Sequence, residues 1–238
     1  MDSLKNRGSI LWMIALLLAT SPIKADDIAY FLSGQFGTVD LTTGAVTLLG
    51  TPNFSSGFTA GLGEVGGVLY AASYEGGTLY TVNPASGALN PVGNSSIIIY
   101  CMGSTTTGLY AAGWPAGTNT QANPTLYFYS IDPRTAAATQ IGQFGVSPGF
   151  YNRTFSTGSP TLYFADFENL YSIDTNSGNA TVIGGTVSGG TNGIIPGGLA
   201  YVNGKLYAAS NSPNVVWTLN PASGAARVKH FETPGMGI

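Results

Sequence analysis

The sequence predicts an all-β protein built from five copies of one repeat, and its composition is the first reason. Glycine accounts for 34 of the 238 residues and aromatic residues for 11%, whereas charged residues make up only 8%, against about 25% in an average protein. Much glycine and tyrosine with little Glu, Lys and Arg disfavours helices and favours strands joined by tight turns. The same composition excludes a disordered charged tail. With only 8 Lys and Arg residues, we expect no nucleic-acid partner.

The second reason is a repeated segment that is centred on an Asp or Asn residue. Its five copies are 37–44 (GTVDLTTG), 80–87 (YTVNPASG), 129–136 (YSIDPRTA), 171–178 (YSIDTNSG) and 217–224 (WTLNPASG). The successive Asp/Asn positions are separated by 43, 49, 42 and 46 residues. A period of about 40–50 residues is typical of the four-stranded blade of a β-propeller.

The third reason is the pattern inside each copy, which predicts a strand followed by a turn. An apolar residue precedes the Asp/Asn, a Ser or Thr lies two before it, and an aromatic residue lies three before it in four copies. This alternation predicts a strand with one buried and one polar face. The Asp/Asn side chain is expected to bind the backbone N–H two residues on, and the glycine four residues on, present in four copies, is expected to adopt a positive φ.

Two further elements complete the repeat. A second glycine follows the Asp/Asn by ten residues in four copies, and an apolar residue before it marks the next strand. Upstream of each segment lies a short apolar element that contains a tyrosine, and a Gly/apolar stretch precedes it in the later repeats. The tyrosines are Tyr30, Tyr70, Tyr110, Tyr163 and Tyr207. Each unit therefore has four strands, A to D, and the sequence predicts a β-propeller with five four-stranded blades.

This combination resembles secreted bacterial β-propeller repeat proteins whose blades follow the pattern LYxIDPxTGxxTxIG. The resemblance covers residues 28–238. It implies the fold but no particular activity, because propellers carry unrelated functions.

Residues 1–25 are predicted to be a signal peptide. Lys5 and Arg7 precede an apolar run at residues 10–19, and Ala25 is the expected cleavage point. Ten residues of helix span about half of a bilayer core, so a permanent membrane span is disfavoured. We therefore expect residues 26–238 to form a single propeller domain that is secreted, into the periplasm or the medium, without membrane attachment. This mature chain has 10 acidic and 5 basic residues.

The ends of the chain predict how the ring closes. The mature chain begins in strand B of the first blade, at residues 28–33, and Thr233–Ile238 resembles residues 195–200, the strand A of the last blade. We expect the C-terminal segment to supply the missing strand A of the first blade. The alternative is that the sequence is a fragment of a longer propeller.

The ligand is expected on the face of the ring that carries the B–C and D–A connections, called here the loop face. These connections vary in length, and variable loops on a rigid scaffold usually carry binding. The candidate residues are Trp114, Asn119, Gln121, Phe150 and Tyr151. Aromatic stacking with amide hydrogen bonds suits a carbohydrate or a protein ligand. The sequence thus predicts an exported, non-catalytic binding or interaction scaffold that is a monomer.

Metal and enzyme chemistry have little support in the sequence. Cys101 and His230 are single, so a His/Cys metal cluster and an internal disulfide are excluded, and Cys101 is expected to be buried. No cofactor is expected, although Asp166 and Glu168 could hold Ca²⁺ through carboxylate oxygens. Two alternatives stay open: a metal-dependent propeller hydrolase or lactonase with Glu64 beside a central metal, and a structural cell-surface protein that packs through its sheet edges.

Overall fold

The five repeats form five antiparallel sheets that are arranged around a ring as a five-bladed β-propeller, as the sequence predicted. This computed structural model describes residues 27–54, 59–74, 76–120, 125–146, 154–166, 169–185, 196–211 and 214–229. These residues form strands, turns and extended connections, and none of the described residues is helical. The predicted signal peptide, residues 1–25, lies outside the described residues.

Each repeat contributes one blade. In chain order the strands are β1 (Ile28–Ser33), β2 (Gln35–Asp40) and β3 (Val46–Gly50) in blade 1; β4 (Thr59–Val65), β5 (Val68–Ser73), β6 (Thr78–Val82) and β7 (Leu89–Asn94) in blade 2; β8 (Ile97–Ser104), β9 (Leu109–Pro115), β10 (Tyr127–Ile131) and β11 (Ala138–Gln143) in blade 3; β12 (Thr154–Phe155), β13 (Leu162–Ala165), β14 (Asn169–Ile173) and β15 (Ala180–Gly185) in blade 4; and β16 (Pro196–Val202), β17 (Lys205–Asn211), β18 (Asn214–Leu219) and β19 (Ala226–Lys229) in blade 5.

The innermost strands of blades 2 to 5 follow one another around the ring, and β1 of blade 1 lies between the last and the first of them. Strand β4 lies beside β8, β8 beside β12 and β12 beside β16, while β1 lies against both β4 and β16. Blades 2 to 5 each contain four strands, and the described part of blade 1 contains three, in the order β1-β2-β3. The predicted C-terminal strand, Thr233–Ile238, lies outside the described residues, so its pairing with blade 1 stays a prediction.

The C–D turns follow the predicted chemistry in all five blades. In each turn the Asp/Asn side chain accepts a hydrogen bond from the N–H two residues on, at 2.7–2.9 Å. The residue four positions after the Asp/Asn has φ between 65° and 78°. It is glycine in four blades and Ala136 in blade 3. These local contacts explain why the turns are so uniform.

The second glycine of the repeat has a role that the sequence pattern did not reveal. In blades 1 to 4 the outer strand has a one-residue bulge immediately before it. A Cβ atom at this glycine would collide with a backbone carbonyl oxygen in the C–D turn of the next blade. The glycines are Gly50, Gly93, Gly142 and Gly184. Each therefore forms a notch into which the following blade packs.

Strand C of each blade, which ends at or just before the Asp/Asn, differs from the predicted strand with one buried and one polar face. The Ser or Thr two positions before the Asp/Asn is partly exposed, as expected, and the residues at one and three positions before it are largely buried. The residue at four positions before it, however, is also fully buried, as Phe36, Leu79, Phe128 and Leu170 show. Both faces of a blade pack against neighbouring blades, so an apolar residue is needed on each face. Cys101 is buried in this core, as predicted.

Candidate functional site

The loop face is only partly described by the structure. Trp114 lies within strand β9, which extends further than expected, and only 4% of its surface is exposed. Asn119 is exposed in the B–C connection of blade 3. Gln121, Phe150 and Tyr151 lie outside the described residues. Because three of the five candidates lie outside the described residues, the ligand-binding role of this set stays a prediction.

Three aromatic side chains lie in a row across blades 2 and 3 at this face. The ring of Tyr100 is 5.3 Å from that of Trp114 at an interplanar angle of 79°, and 6.3 Å from that of Tyr74 at 62°. Tyr74 follows strand β5, and Tyr100 belongs to the inner strand β8. Tyr74 and Tyr100 are partly exposed, whereas Trp114 is buried against Tyr100. This aromatic row thus presents two tyrosines, with the tryptophan as their support.

Tyr100 owes its position to a β-bulge. The pairing of β8 with β9 passes from Ile99 directly to Cys101, so Tyr100 is the extra residue. Bulges re-aim side chains and are common beside functional sites. The inner strands of blades 2 and 5 have the same bulge at Ala60 and Gly197. Sequence analysis missed Tyr100, although an alignment of the inner strands would have shown a large ring where two other blades have Ala or Gly.

Hydrogen bonds fix the connections around the aromatic row. The backbone N–H and the hydroxyl of Ser95 both donate to the carbonyl of Gly77, at 2.9 and 2.7 Å. The side-chain amide of Asn94 donates to the carbonyl of Gly76. The N–H of Ala116 donates to the carbonyl of Ser96 at 3.4 Å. Three neighbouring connections are therefore joined into one rim, which holds the row in place before any ligand binds.

This part of the chain carries little charge. Glu75 directly follows Tyr74, and no further Asp, Glu, Lys or Arg occurs before Asp132, a stretch of 56 residues that contains strands β6 to β10. Asp132 lies in a C–D turn, at the opposite face of the ring. Apart from Glu75, the residues that flank the aromatic row in the sequence are therefore uncharged.

The acidic residues that sequence analysis considered as metal ligands are engaged in turns. Glu64 accepts a hydrogen bond from the N–H of Gly67 at 2.8 Å. Asp166 accepts one from the N–H of Asn169 at 2.7 Å and one from the hydroxyl of Tyr171 at 2.8 Å. Glu168 lies outside the described residues, as does His230. In the part of the chain that is described, no three His, Cys, Asp or Glu residues cluster, and a Ca²⁺ site at Asp166 and Glu168 stays a prediction.

A buried carboxylate joins the first blade to the last, and nothing in the sequence pattern indicated it. Asp27, with 7% of its surface exposed, accepts hydrogen bonds from the Asn203 amide at 2.7 Å and the Tyr207 hydroxyl at 2.8 Å. The ammonium of Lys205 lies 3.6 Å from the same carboxylate. The bond from Asn203, followed by that from Tyr207, lowers the pKa of Asp27 below 3.8. Burial, and then the bond to Asp27, raises the pKa of Tyr207 to about 12.

Comparisons with known proteins agree with the fold. No family model matches the sequence, and no curated protein matches it. A chain in the crystal structure of a nidogen/laminin complex superposes with a TM-score of 0.55 at 13% identity, over 87% of this chain and 77% of that one. Glutaminyl cyclase of Myxococcus xanthus gives a TM-score of 0.49 at 19% identity, over 73% and 70% of the two chains. At 13% identity, the likeness to the chain of the nidogen/laminin complex concerns the fold alone.

Among the residues that the structure describes, none forms a helix with the length and apolar character needed to cross a bilayer.

Proposed function

We propose that the mature chain is an exported, non-catalytic binding propeller that takes its ligand on the loop face at blades 2 and 3. The observation that carries this proposal is Tyr100, which a bulge in the innermost strand presents, partly exposed, between Tyr74 and Trp114. Large aromatic surfaces with a few polar groups are typical of ligand sites. The hydrogen-bonded rim supports the proposal as well, because a site that is ordered in advance loses less entropy on binding.

The proposed site is tested by removing the ring of Tyr100. The mature protein is screened on a printed oligosaccharide array and against a displayed library of random peptides, and the strongest ligand is then measured with three variants. We expect Tyr100→Ala to weaken binding at least tenfold and Tyr100→Phe to retain most of it. Tyr30→Ala is the matched control, because Tyr30 is 43% exposed but lies in blade 1, and its affinity should equal that of the wild type.

Two outcomes would contradict the proposal. Undiminished binding by a folded Tyr100→Ala variant would place the ligand elsewhere. A tight site for Ca²⁺, Mg²⁺ or Zn²⁺ in calorimetry, lost in Glu64→Gln, would favour the metal-dependent hydrolase. Light scattering adds a further check, because a monomer is expected of a binding module and large assemblies of a structural surface protein.

Export rests on residues 1–25 and has its own test. The N-terminal sequence of secreted protein should begin at Asp26, directly after the expected cleavage point. Retention of the apolar run at residues 10–19 in the secreted protein would contradict this part of the proposal.

A further inference from the structure

We infer that the ligand of the aromatic row is a neutral carbohydrate, held by stacking against Tyr100 and Tyr74. This inference rests on the proposed function, since it names the ligand class of the same site. Three features of the site carry it: the geometry of the rings, the absence of Lys and Arg from residues 74–131, and the hydrogen bonds that the backbone of the rim already makes.

The ring geometry forms a corner rather than a flat platform. The planes of Tyr74 and Tyr100 meet at 62°, and Trp114 packs edge-on to Tyr100 at 79°. The C–H face of a sugar ring can lie against one tyrosine while its edge contacts the other. Since Trp114 is 4% exposed, its indole fixes Tyr100 from behind, and the contact surface for the sugar belongs to the tyrosines.

The charge distribution selects against anionic ligands. An anion that is placed against the electron-rich faces of aromatic rings loses its hydration, which is costly unless a cationic side chain is present. Residues 74–131 contain no Lys or Arg, and their single charged residue is the acidic Glu75. Hydroxyl and amide side chains, such as those of Ser96 and Asn119, are exposed in the same connections, and these groups match the hydroxyls of a neutral sugar.

The rim also disfavours a peptide that would bind as an extra strand. That mode of recognition needs free backbone N–H and C=O groups along an edge. In the rim, the carbonyl of Gly77 already accepts two hydrogen bonds, and the carbonyls of Gly76 and Ser96 accept one each. The N–H of Ser96 is bound to the Asn94 side chain at 2.8 Å. The N–H of Ser96 and the carbonyl of Gly77 are therefore engaged within the fold, which disfavours the addition of a strand at these positions.

The chain supplies its own reporter for the test. Trp114 and Trp217 are the only tryptophans of the mature sequence. The indole N–H of Trp217 is buried and has no hydrogen-bond partner among the described residues, so Trp217→Phe should be tolerated. In that variant all tryptophan fluorescence comes from Trp114, whose ring is 5.3 Å from Tyr100.

The experiment titrates the Trp217→Phe protein with four neutral sugars: cellohexaose, N-acetylchitohexaose, laminarihexaose and maltohexaose. At least one sugar is expected to change the Trp114 emission saturably. Adding Tyr100→Ala or Tyr74→Ala should weaken that sugar at least tenfold, whereas adding Tyr30→Ala should leave its affinity unchanged. Because binding rests on neutral contacts, raising the salt concentration from 0.05 to 0.5 M should change the affinity less than twofold, which is the behaviour expected without charge pairing.

The outcomes separate the ligand class from the site. If none of the sugars, nor any neutral oligosaccharide on the array, binds while a peptide binds in a Tyr100-dependent way, the carbohydrate inference is wrong and the proposed site stands. If a sugar binds equally well to the wild type and to both alanine variants, the site itself is wrong. If only anionic sugars bind, with strong salt dependence, the assignment to a neutral ligand is overturned.

Discussion

Two interfaces between neighbouring blades are built from different chemistry. Blades 3 and 4 meet through a cluster of phenylalanines, Phe128, Phe144, Phe155 and Phe164, whose ring centroids lie 5.0–6.1 Å apart. Blades 5 and 1 meet through small aliphatic side chains and, in addition, through Tyr207 and the buried carboxylate of Asp27. We call the first the aromatic interface and the second the seam.

The difference shows that the same repeat can join consecutive blades in one place and the first blade to the last in another. The aromatic interface joins blades that follow each other in the chain, and its stability comes from buried apolar area, which needs no particular partner and does not titrate. The seam joins the first blade to the last, which lie far apart in the sequence. There the contacts are directional hydrogen bonds to a carboxylate, so the seam specifies one partner but depends on pH.

The largest effect is expected from removing the predicted closing strand. Deletion of Thr233–Ile238 should remove the inner strand of blade 1 and several buried side chains, each of which contributes about 1.5–3 kcal/mol. The urea midpoint should fall clearly and oligomers should appear in light scattering, because an exposed sheet edge favours association. A deletion without effect would show that Asp27 and the aliphatic contacts close the ring alone.

The next largest loss of stability is expected from truncating a phenylalanine of the aromatic interface. Phe164 is fully buried and contacts Phe144, Phe155 and Tyr171. Phe164→Ala should lower the free energy of unfolding by about 3–5 kcal/mol, as is usual for a buried phenylalanine. Urea unfolding should give the same loss at pH 7 and at pH 3, below the pH at which the contribution of Asp27 is expected to disappear. A loss of unfolding free energy that varies between these pH values would contradict the claim that the aromatic interface, unlike the seam, does not depend on pH.

The notch glycines test whether blades interlock. Gly142→Ala places a Cβ against the carbonyl oxygen of Ser177 in the next blade and should cost about 1–3 kcal/mol through overpacking. Gly145→Ala is a close control, since its nearest neighbour would be the backbone nitrogen of Ala180 at an ordinary 3.7 Å. Equal urea midpoints for the two variants would rule out the interlock.

The seam should lose stability when Asp27 is changed, and the loss should depend on pH. Asp27→Asn removes the charge and one acceptor, which should cost about 1–3 kcal/mol at pH 7. The pKa of Asp27 is lowered from 3.8 in the fold, so its contribution is present above that value and disappears as the pH falls through the folded pKa.

The turn aspartates Asp40, Asp132 and Asp174 also have a pKa lowered by hydrogen bonds within their turns. The wild type therefore loses stability in acid for several reasons. The informative quantity is the difference in unfolding free energy between the wild type and Asp27→Asn, which should shrink below about pH 4. A difference that is constant with pH would mean that the carboxylate charge has no part in the seam.

The smallest effects should come from a matched pair of tyrosine hydroxyls. Tyr207→Phe removes a hydrogen bond to Asp27 and should cost about 1 kcal/mol. Tyr129→Phe removes a buried hydroxyl that has no partner in the described part of the chain, so it should be neutral or slightly stabilising. Thermal unfolding of the two variants compares them directly, and the reverse order would be incompatible with this description of the seam.

Local chemistry explains how much of the fold the sequence determined. The Asp174 turn is held by an acceptor and an N–H only two residues apart, and Gly178 adopts a φ of 78° within the same turn. Such contacts form wherever the short segment occurs, so five copies of the segment were enough to predict five blades. The buried Cys101 was predictable for the same reason, because its neighbours in the strand are apolar.

The tertiary structure alone decided which distant residues meet. Asp27 is 180 residues from Tyr207, and only closure of the ring brings the two together. Gly142 was recognisable as part of the repeat, but its function depends on the carbonyl of Ser177 in another blade. Tyr100 was one tyrosine among 13 until a bulge presented it beside Tyr74 and Trp114. The sequence by itself determined what each blade is, through contacts within a few residues, whereas the packing of blades around the ring determined the seam and the aromatic row.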